Sequence, residues 1–70
     1  MTLTPRETQI GAMLMDGLSN KVIAHKLGRS QQTVANQINN IYWKLKVDNR
    51  VDAVVKLKGI TFDKMYSFGD

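Results

Sequence analysis

The spacing of Ala24, Gly28 and Val34 constrains the fold of this chain more than any other feature. The three residues lie between two short amphipathic stretches and are separated by four and then six positions. Two helices that cross near a right angle need a small residue where they meet. They also need a turn residue free to adopt positive φ and a branched apolar anchor on the second helix. Ala24, Gly28 and Val34 meet these needs in order, so the sequence predicts a helix-turn-helix.

Helix-capping residues indicate where the first three helices begin. Thr4, Pro5 and Glu7 supply an N-cap, a proline at the first helical position and a capping box, which predicts a first helix from Pro5 to a stop at Gly17. Ser19 is expected to cap a second helix that runs to about residue 27, and Ser30 a third and longest helix. The predicted inward-facing residues are Val22, Ile23 and Leu27 in the second helix and Val34, Ile38, Ile41 and Leu45 in the third.

A fourth helix is predicted after a break at Lys46 and Val47. Asp48 or Asn49 is expected to cap it, and Gly59 to end it. No segment has the alternation typical of a strand, so the predicted fold class is all-α.

The composition favours a partner that carries phosphates. Ten Lys and Arg against six Asp and Glu give a net charge of +4 on 70 residues. There is no cysteine and only one histidine, so we expect no metal and no other cofactor. No phosphate-binding loop, paired carboxylates or secretion signal is recognisable, so we expect a cytoplasmic protein that is neither an enzyme nor bound to a membrane. His25, the one histidine, is expected to be exposed.

Four sequence blocks stand at the mutual spacing of one known family. They are LTPRE at 3–7, GLSNKVIAHKLGRS at 17–30, TV at 33–34 and NIYWKLKVDNRVDAV at 40–54. Together they resemble the LuxR/GerE family, also called NarL/FixJ. The resemblance implies a four-helix DNA-binding domain over residues 1–58, with the third helix in the major groove and the fourth often at a dimer contact. Residues 59–70 are expected to form an apolar extension of unknown role.

Candidate base contacts lie on the third helix, opposite its inward stripe. The amino-terminal half of that side carries Gln32, Ala35, Asn36 and Asn39. Asn and Gln pair well with adenine in the major groove, and Ala35 can touch a thymine methyl group. Members of the family usually carry Lys or Arg at the position of Ala35 and often His at that of Gln37. These two departures predict a different operator, weaker binding or even loss of DNA binding.

Candidate phosphate contacts lie near helix amino termini and on the flanks of the motif. The resemblance supports Lys21 and Thr33, and charge or placement supports the others. The full set is Lys21, Arg29, Ser30, Gln31, Thr33, Lys44 and Lys46.

The fourth helix carries apolar residues in nearly every angular sector, which predicts a second interface besides the core. We expect a homodimer, at least on DNA, that places two recognition helices about one DNA turn apart. The expected interface residues are Val51, Val54, Val55 and Lys58.

Four further side chains are assigned structural roles. Trp43 is expected to be partly buried rather than stacked on a base, and Tyr42 to cover a helix junction. Glu7 and Arg50 either form a pair that braces the first and fourth helices or are both solvated.

The leading functional hypothesis is a sequence-specific transcription regulator that recruits or blocks RNA polymerase, similar to the stand-alone GerE-like members of the family. An excised DNA-binding domain is the less favoured origin of the chain. The alternative hypothesis is an interaction module or anti-activator that pairs with a larger LuxR-type protein through the fourth helix or the tail. A third hypothesis, region four of a sigma factor, is disfavoured by the segment NIYWKLKV at 40–47.

Overall fold

A computed structural model describes the backbone of residues 3–69 and the side chains of residues 3–59. This part of the chain contains four α-helices and no strand. The helices are α1 (Pro5–Met15), α2 (Asn20–Leu27), α3 (Gln31–Leu45) and α4 (Arg50–Gly69). The all-α, four-helix prediction is confirmed.

The predicted capping residues begin the first three helices. In α1 the backbone N–H of Thr4 donates to Glu7 Oε1 at 2.8 Å, and that of Glu7 donates to Thr4 Oγ1 at 3.1 Å, which is a complete capping box. Ser19 and Ser30 accept from the third residue of α2 and of α3 in the same way. These side chains satisfy backbone donors that have no partner within the helix.

Left-handed residues follow the same three helices at their carboxyl ends. They are Gly17, Gly28 and Lys46, with φ of 79°, 64° and 59°. The next residue in each case donates its backbone N–H to a carbonyl five positions earlier, as in a Schellman motif. The predicted stops after α1 and α2 are confirmed, and the break after α3 is made by a lysine in a conformation that favours glycine.

The fourth helix begins as predicted but does not end as predicted. Asn49 is its cap, because Asn49 Oδ1 accepts from the backbone N–H of Asp52 at 2.9 Å. The helix continues to Gly69, so the predicted end at Gly59 is wrong. Glycine permits a left-handed cap but does not impose one, and Gly59 does not have positive φ. The helix accepts Gly59 in its interior at a cost of about 1 kcal/mol relative to alanine.

The core lies where α3 meets the other helices. It consists of Ile10, Leu14, Ile23, Ala24, Val34, Ile38, Ile41, Leu45, Ala53 and Leu57. The predicted stripe of α3 is therefore buried throughout, and Ala24 is buried on α2, which packs against α3. Val22 was expected to face inward together with Ile23 but is 39% exposed, because the buried side of α2 is centred on Ile23 and Ala24.

Helices α1 and α4 approach each other closely at Gly11. A Cβ atom added there would lie 3.4 Å from a terminal carbon of Leu57.

A lysine of α4 contacts the carboxyl end of α3. Lys56 donates from Nζ to the carbonyl oxygen of Leu45 at 3.0 Å. A cation at this position stabilises the carboxyl end of α3, where carbonyl groups are unpaired and the helix dipole is negative.

Glu7 and Arg50 neither pair with each other nor are left to solvent alone, because each binds another part of the chain. Lys44 Nζ lies 2.6 Å from Glu7 Oε1 and joins α3 to α1. Arg50 instead donates to Asn20 Oδ1 at 3.0 Å and to the backbone oxygen of Leu18. Glu7 and Arg50 therefore both have partners. Each partner lies 30 or more positions away, so the local sequence does not indicate it.

Candidate nucleic-acid interface

The α2–turn–α3 unit is free of acidic residues. Between Gly17 and Val47 the chain contains no Asp or Glu, whereas Lys21, Lys26, Arg29, Lys44 and Lys46 all fall within these limits. Such a segment attracts a polyanion, because no local carboxylate offsets the positive field.

One side of α3 presents a row of exposed amides. Gln32, Asn36 and Asn39 are all exposed and lie opposite the buried stripe, as expected at about 100° of rotation per residue. Asn40 is exposed on the same side, although it was not among the predicted base contacts. Its position four residues after Asn36 was sufficient to place it there. We call Gln32, Asn36, Asn39 and Asn40 the amide face.

Two further positions expected on this side lie at its edges. Ala35 is half-buried, so only part of its methyl group is accessible. Gln37 is also half-buried, and the protein covers its Oε1 atom. The two departures from the family pattern therefore flank the amide face instead of lying at its centre.

A hydrogen bond within the amide face orients one candidate base contact. Gln32 Nε2 donates to Asn36 Oδ1 at 3.1 Å, one turn along the helix. This bond leaves both hydrogens of Asn36 Nδ2 free to donate and one lone pair of Oδ1 free to accept. Asn36 thus retains the donor and acceptor that match N7 and N6 of adenine.

The amino end of α3 is open to solvent and rich in donors. Ser30 Oγ donates to Thr33 Oγ1 at 2.9 Å and accepts the backbone N–H of Thr33 at 3.1 Å. Unpaired N–H groups and the helix dipole both favour an anion at such an end. The predicted phosphate contacts that are exposed are Lys21, Arg29, Ser30, Gln31, Thr33 and Lys46.

Lys44 differs from the other predicted phosphate contacts because its charge is already paired. It is half-buried, and its ammonium holds Glu7, which is only 7% exposed. The hydrogen bond from Lys44, followed by that from the Thr4 backbone, lowers the pKa of the Glu7 carboxyl below its ordinary value of 4.5. The ion pair thus fixes α3 against α1.

The two aromatic residues near the end of α3 behave differently. Tyr42 is half-buried and packs against the core, as expected of a residue covering a helix junction. Trp43 is 80% exposed, so its expected partial burial is wrong. The core stripe passes through Ile41 and Leu45, and Trp43 lies midway between them on the opposite side of the helix.

The start of α4 presents an exposed apolar surface. Val51 and Val55 are 71% and 64% exposed, Lys58 is exposed and Val54 is half-buried. The three valines line one side of an open groove of about 320 Å³ between the end of α1 and the start of α4. Its lining residues are Leu14, Met15, Gly17, Arg50, Val51, Val54 and Val55.

The described part of the chain holds neither a cluster of metal ligands nor a membrane-spanning helix. There, no three side chains of the types that ligate metals lie close enough together to hold an ion. None of the helices, as far as they are described, is long and apolar enough to cross a membrane.

Comparison with known proteins places the chain in one family. A family model described as "Bacterial regulatory proteins, luxR family" matches residues 1–57. The transcriptional regulatory protein DegU of Brevibacillus brevis is 41% identical over 54 residues, which are 77% of this chain and 23% of DegU. The nitrate/nitrite response regulator NarL of Escherichia coli K12 is 40% identical over 53 residues, 76% of this chain and 24% of NarL. The chain thus spans about a quarter of the length of these two relatives.

Two solved structures share the fold. The ComA DNA-binding domain, crystallised in complex with the anti-activator RapF, superposes with a TM-score of 0.79 at 35% identity and covers 81% of this chain and 98% of that one. The response regulator ChrA, of a heme-sensing two-component system, gives a TM-score of 0.82 at 39% identity over 87% of this chain and 30% of ChrA. The chain belongs to the luxR family of bacterial regulatory proteins and has the family's four-helix, helix-turn-helix fold.

Proposed function

We propose that this chain binds double-stranded DNA in a sequence-specific manner and regulates transcription. The observation that carries the proposal is the exposed amide face of α3, on a helix-turn-helix segment that has no carboxylate of its own. Relatives such as DegU are named as transcriptional regulatory proteins, which favours this function over an anti-activator that captures a larger relative.

Base recognition is assigned to the amide face. Asn36 is the best placed. The hydrogen bond from Gln32 holds its Oδ1 atom and leaves both N–H donors of Nδ2 and one lone pair of Oδ1 free for a base. Asn39 lies almost one turn further along the same exposed side. Each well-formed bidentate contact to adenine adds about 1–3 kcal/mol of discrimination. Gln32 and Ala35 are secondary contacts, one through its free oxygen and the other through its methyl group.

Backbone contacts are assigned to exposed groups at both ends of α3 and at the start of α2. Lys21, Arg29 and Lys46 supply cations, while Ser30, Gln31 and Thr33 supply polar side chains beside the helix dipole. Lys44 is assigned a supporting role, because releasing it to a phosphate would leave the buried carboxylate of Glu7 without its partner.

We also infer a homodimer on DNA. Val51 and Val55 are exposed, and together with half-buried Val54 they form the α4 side of an apolar groove that can receive the valines of a second copy, with Lys58 exposed further along α4. A two-fold arrangement sets two α3 helices on half-sites about one DNA turn apart. The assembled dimer then recruits or blocks RNA polymerase in the bacterial cytoplasm, and we assign it no catalytic activity.

The test begins with fluorescence-anisotropy titrations of end-labelled duplex DNA at several salt concentrations, followed by selection of preferred sites from a random pool. We expect affinity to fall steeply with salt, because phosphate contacts release counterions, and an inverted repeat to be enriched. The variants Asn36→Ala and Asn39→Ala should reduce the preference for the selected site over random DNA by roughly 5- to 100-fold each.

The matched control is Gln9→Ala, which removes an exposed amide from α1, outside the helix-turn-helix. It should leave both affinity and preference unchanged. Absence of binding at low salt would overturn the proposal, and loss of preference in Gln9→Ala would overturn the assignment to the amide face.

A further inference from the structure

Trp43 is a large apolar side chain with no place in the core. It is 80% exposed on α3, although burial of an aromatic ring of this size is strongly favourable. It does not line the apolar groove beside α4, so the dimer surface does not account for it. An exposed tryptophan with an apolar body and one N–H donor is suited to a partner surface that is both apolar and polar.

The position of Trp43 on the helix relates it to the amide face. Seven residues separate it from Asn36 and four from Asn39, so both lie on the same side of α3. At 1.5 Å per residue the axial distances from Trp43 are about 10.5 Å and about 6 Å. A duplex seated on Asn36 and Asn39 therefore extends toward the indole.

The expected partner atoms are those of the sugar-phosphate backbone. Recognition helices contact bases with their amino-terminal residues, and Trp43 lies near the carboxyl end of α3. The major groove is only about 12 Å wide, so the far end of a helix seated in it approaches a bordering strand. Lys46 follows three residues later and adds a cation to the same end.

We propose that Trp43 packs its indole ring on a deoxyribose and donates its N–H to a neighbouring phosphate. This inference rests on the proposed function. The contact is independent of base sequence, so Trp43 supplies affinity and fixes the depth of α3 in the groove, while the amide face supplies specificity.

The chain contains a single tryptophan, which makes its emission a direct probe of this residue. The full chain is titrated with labelled duplexes carrying the selected site or a random sequence. DNA anisotropy, tryptophan emission and quenching by acrylamide are recorded on the same samples. We expect the emission to change and acrylamide quenching to fall, with midpoints equal to that of the anisotropy change.

The variant Trp43→Ala should weaken binding to selected and random duplexes by the same factor, roughly tenfold. Trp43→Phe should recover part of that loss, because it keeps an apolar ring but lacks the N–H donor. Gln9→Ala is the matched control and should bind like the unmodified chain. Circular dichroism of Trp43→Ala should be unchanged, since an exposed side chain contributes little to stability.

The outcomes separate this inference from the proposed function. If anisotropy shows no binding by the unmodified chain, the proposed function fails. If binding occurs while emission, acrylamide quenching and the affinity of Trp43→Ala stay unchanged, only the Trp43 contact is overturned. A loss confined to the selected site would overturn the assignment to the backbone. A change in emission on dilution without DNA would instead assign the indole to contact between copies.

Discussion

Glu7 joins two parts of the fold through one carboxylate. Its Oε1 atom accepts from the backbone N–H of Thr4 and from the ammonium of Lys44, so it caps α1 and holds α3 at the same time. Both contacts favour the ionised form and lower the pKa of the carboxyl in the folded state. The pairing therefore stabilises the fold only where Glu7 is ionised.

The pH dependence of stability should show this pairing. Because the folded pKa lies below the ordinary value of 4.5, the contribution is complete above 4.5 and is lost as pH falls through the folded pKa. The variant Glu7→Gln keeps a cap acceptor but removes the charge. It should be less stable by about 1.5–3 kcal/mol at neutral pH, with a smaller deficit at acidic pH. Urea unfolding followed by circular dichroism at pH 7, 4.5 and 3 measures both.

Asp16→Asn provides the matched control, because it also removes one negative charge but from an exposed residue at the end of α1. It should show no deficit at any of the three pH values, and at neutral pH it should be slightly more stable than the unmodified chain, because a negative charge is unfavourable at the carboxyl end of a helix. A deficit in Glu7→Gln that does not change with pH would contradict the ion-pair account.

Lys46 ends α3 in a left-handed conformation that favours glycine, yet it carries a positive charge that glycine would lack. It adopts φ of 59° as the cap of α3, a conformation in which a Cβ atom costs about 1–2 kcal/mol. Glycine is the usual residue at such a cap. We interpret the lysine as a phosphate contact retained at some expense in stability.

Substitutions at Lys46 should separate these two effects. Lys46→Gly removes both the strain and the cation, and should raise the free energy of unfolding by about 0.5–1 kcal/mol after the greater flexibility of unfolded glycine is deducted. Lys46→Ala removes the cation but keeps the Cβ atom, so it should not be stabilised. Both variants should lower affinity for DNA and reduce the slope of log K against log salt by about one. Thermal unfolding and anisotropy titrations measure the two quantities, and full DNA affinity in both variants would exclude the phosphate contact.

The parts of this fold that the sequence predicts are those that depend on near neighbours. Caps such as Thr4 and Ser30 act within one turn of themselves, and the stripe on α3 follows from the helical repeat alone. The same repeat also places Trp43 on the side of α3 that carries Asn36, opposite the core, so the helical repeat already argued against the predicted partial burial of Trp43.

What the sequence does not predict depends on the packing of distant segments. Lys44 and Glu7 are 37 positions apart, and Arg50 and Asn20 are 30 apart, so nothing local identifies either pair. The predicted end of α4 at Gly59 was wrong for a different reason. A glycine inside a helix and a glycine at its end have the same local sequence pattern.

The described part of the molecule exposes two candidate functional surfaces on different helices. One is the amide face of α3, and the other, which we call the valine surface, is formed by Val51, Val54, Val55 and Lys58 at the start of α4. If the second surface joins two copies, DNA affinity depends on both. Two half-sites in one duplex then bind two chains cooperatively, because the first bound chain supplies a docking surface for the next.

A polar substitution in the valine surface should remove cooperative binding to two half-sites without changing the affinity of one chain for one half-site. Val55→Asn preserves charge but replaces an apolar contact. It should reduce the affinity advantage of a two-site duplex by about tenfold, while affinity for a single half-site stays the same. Val22→Asn makes the same change at another exposed valine, on α2, and should preserve the advantage even if it alters affinity for each half-site. Anisotropy titrations of one-site and two-site duplexes measure the ratio, and sedimentation velocity counts the bound chains. Unchanged cooperativity in Val55→Asn would show that copies of the chain meet elsewhere.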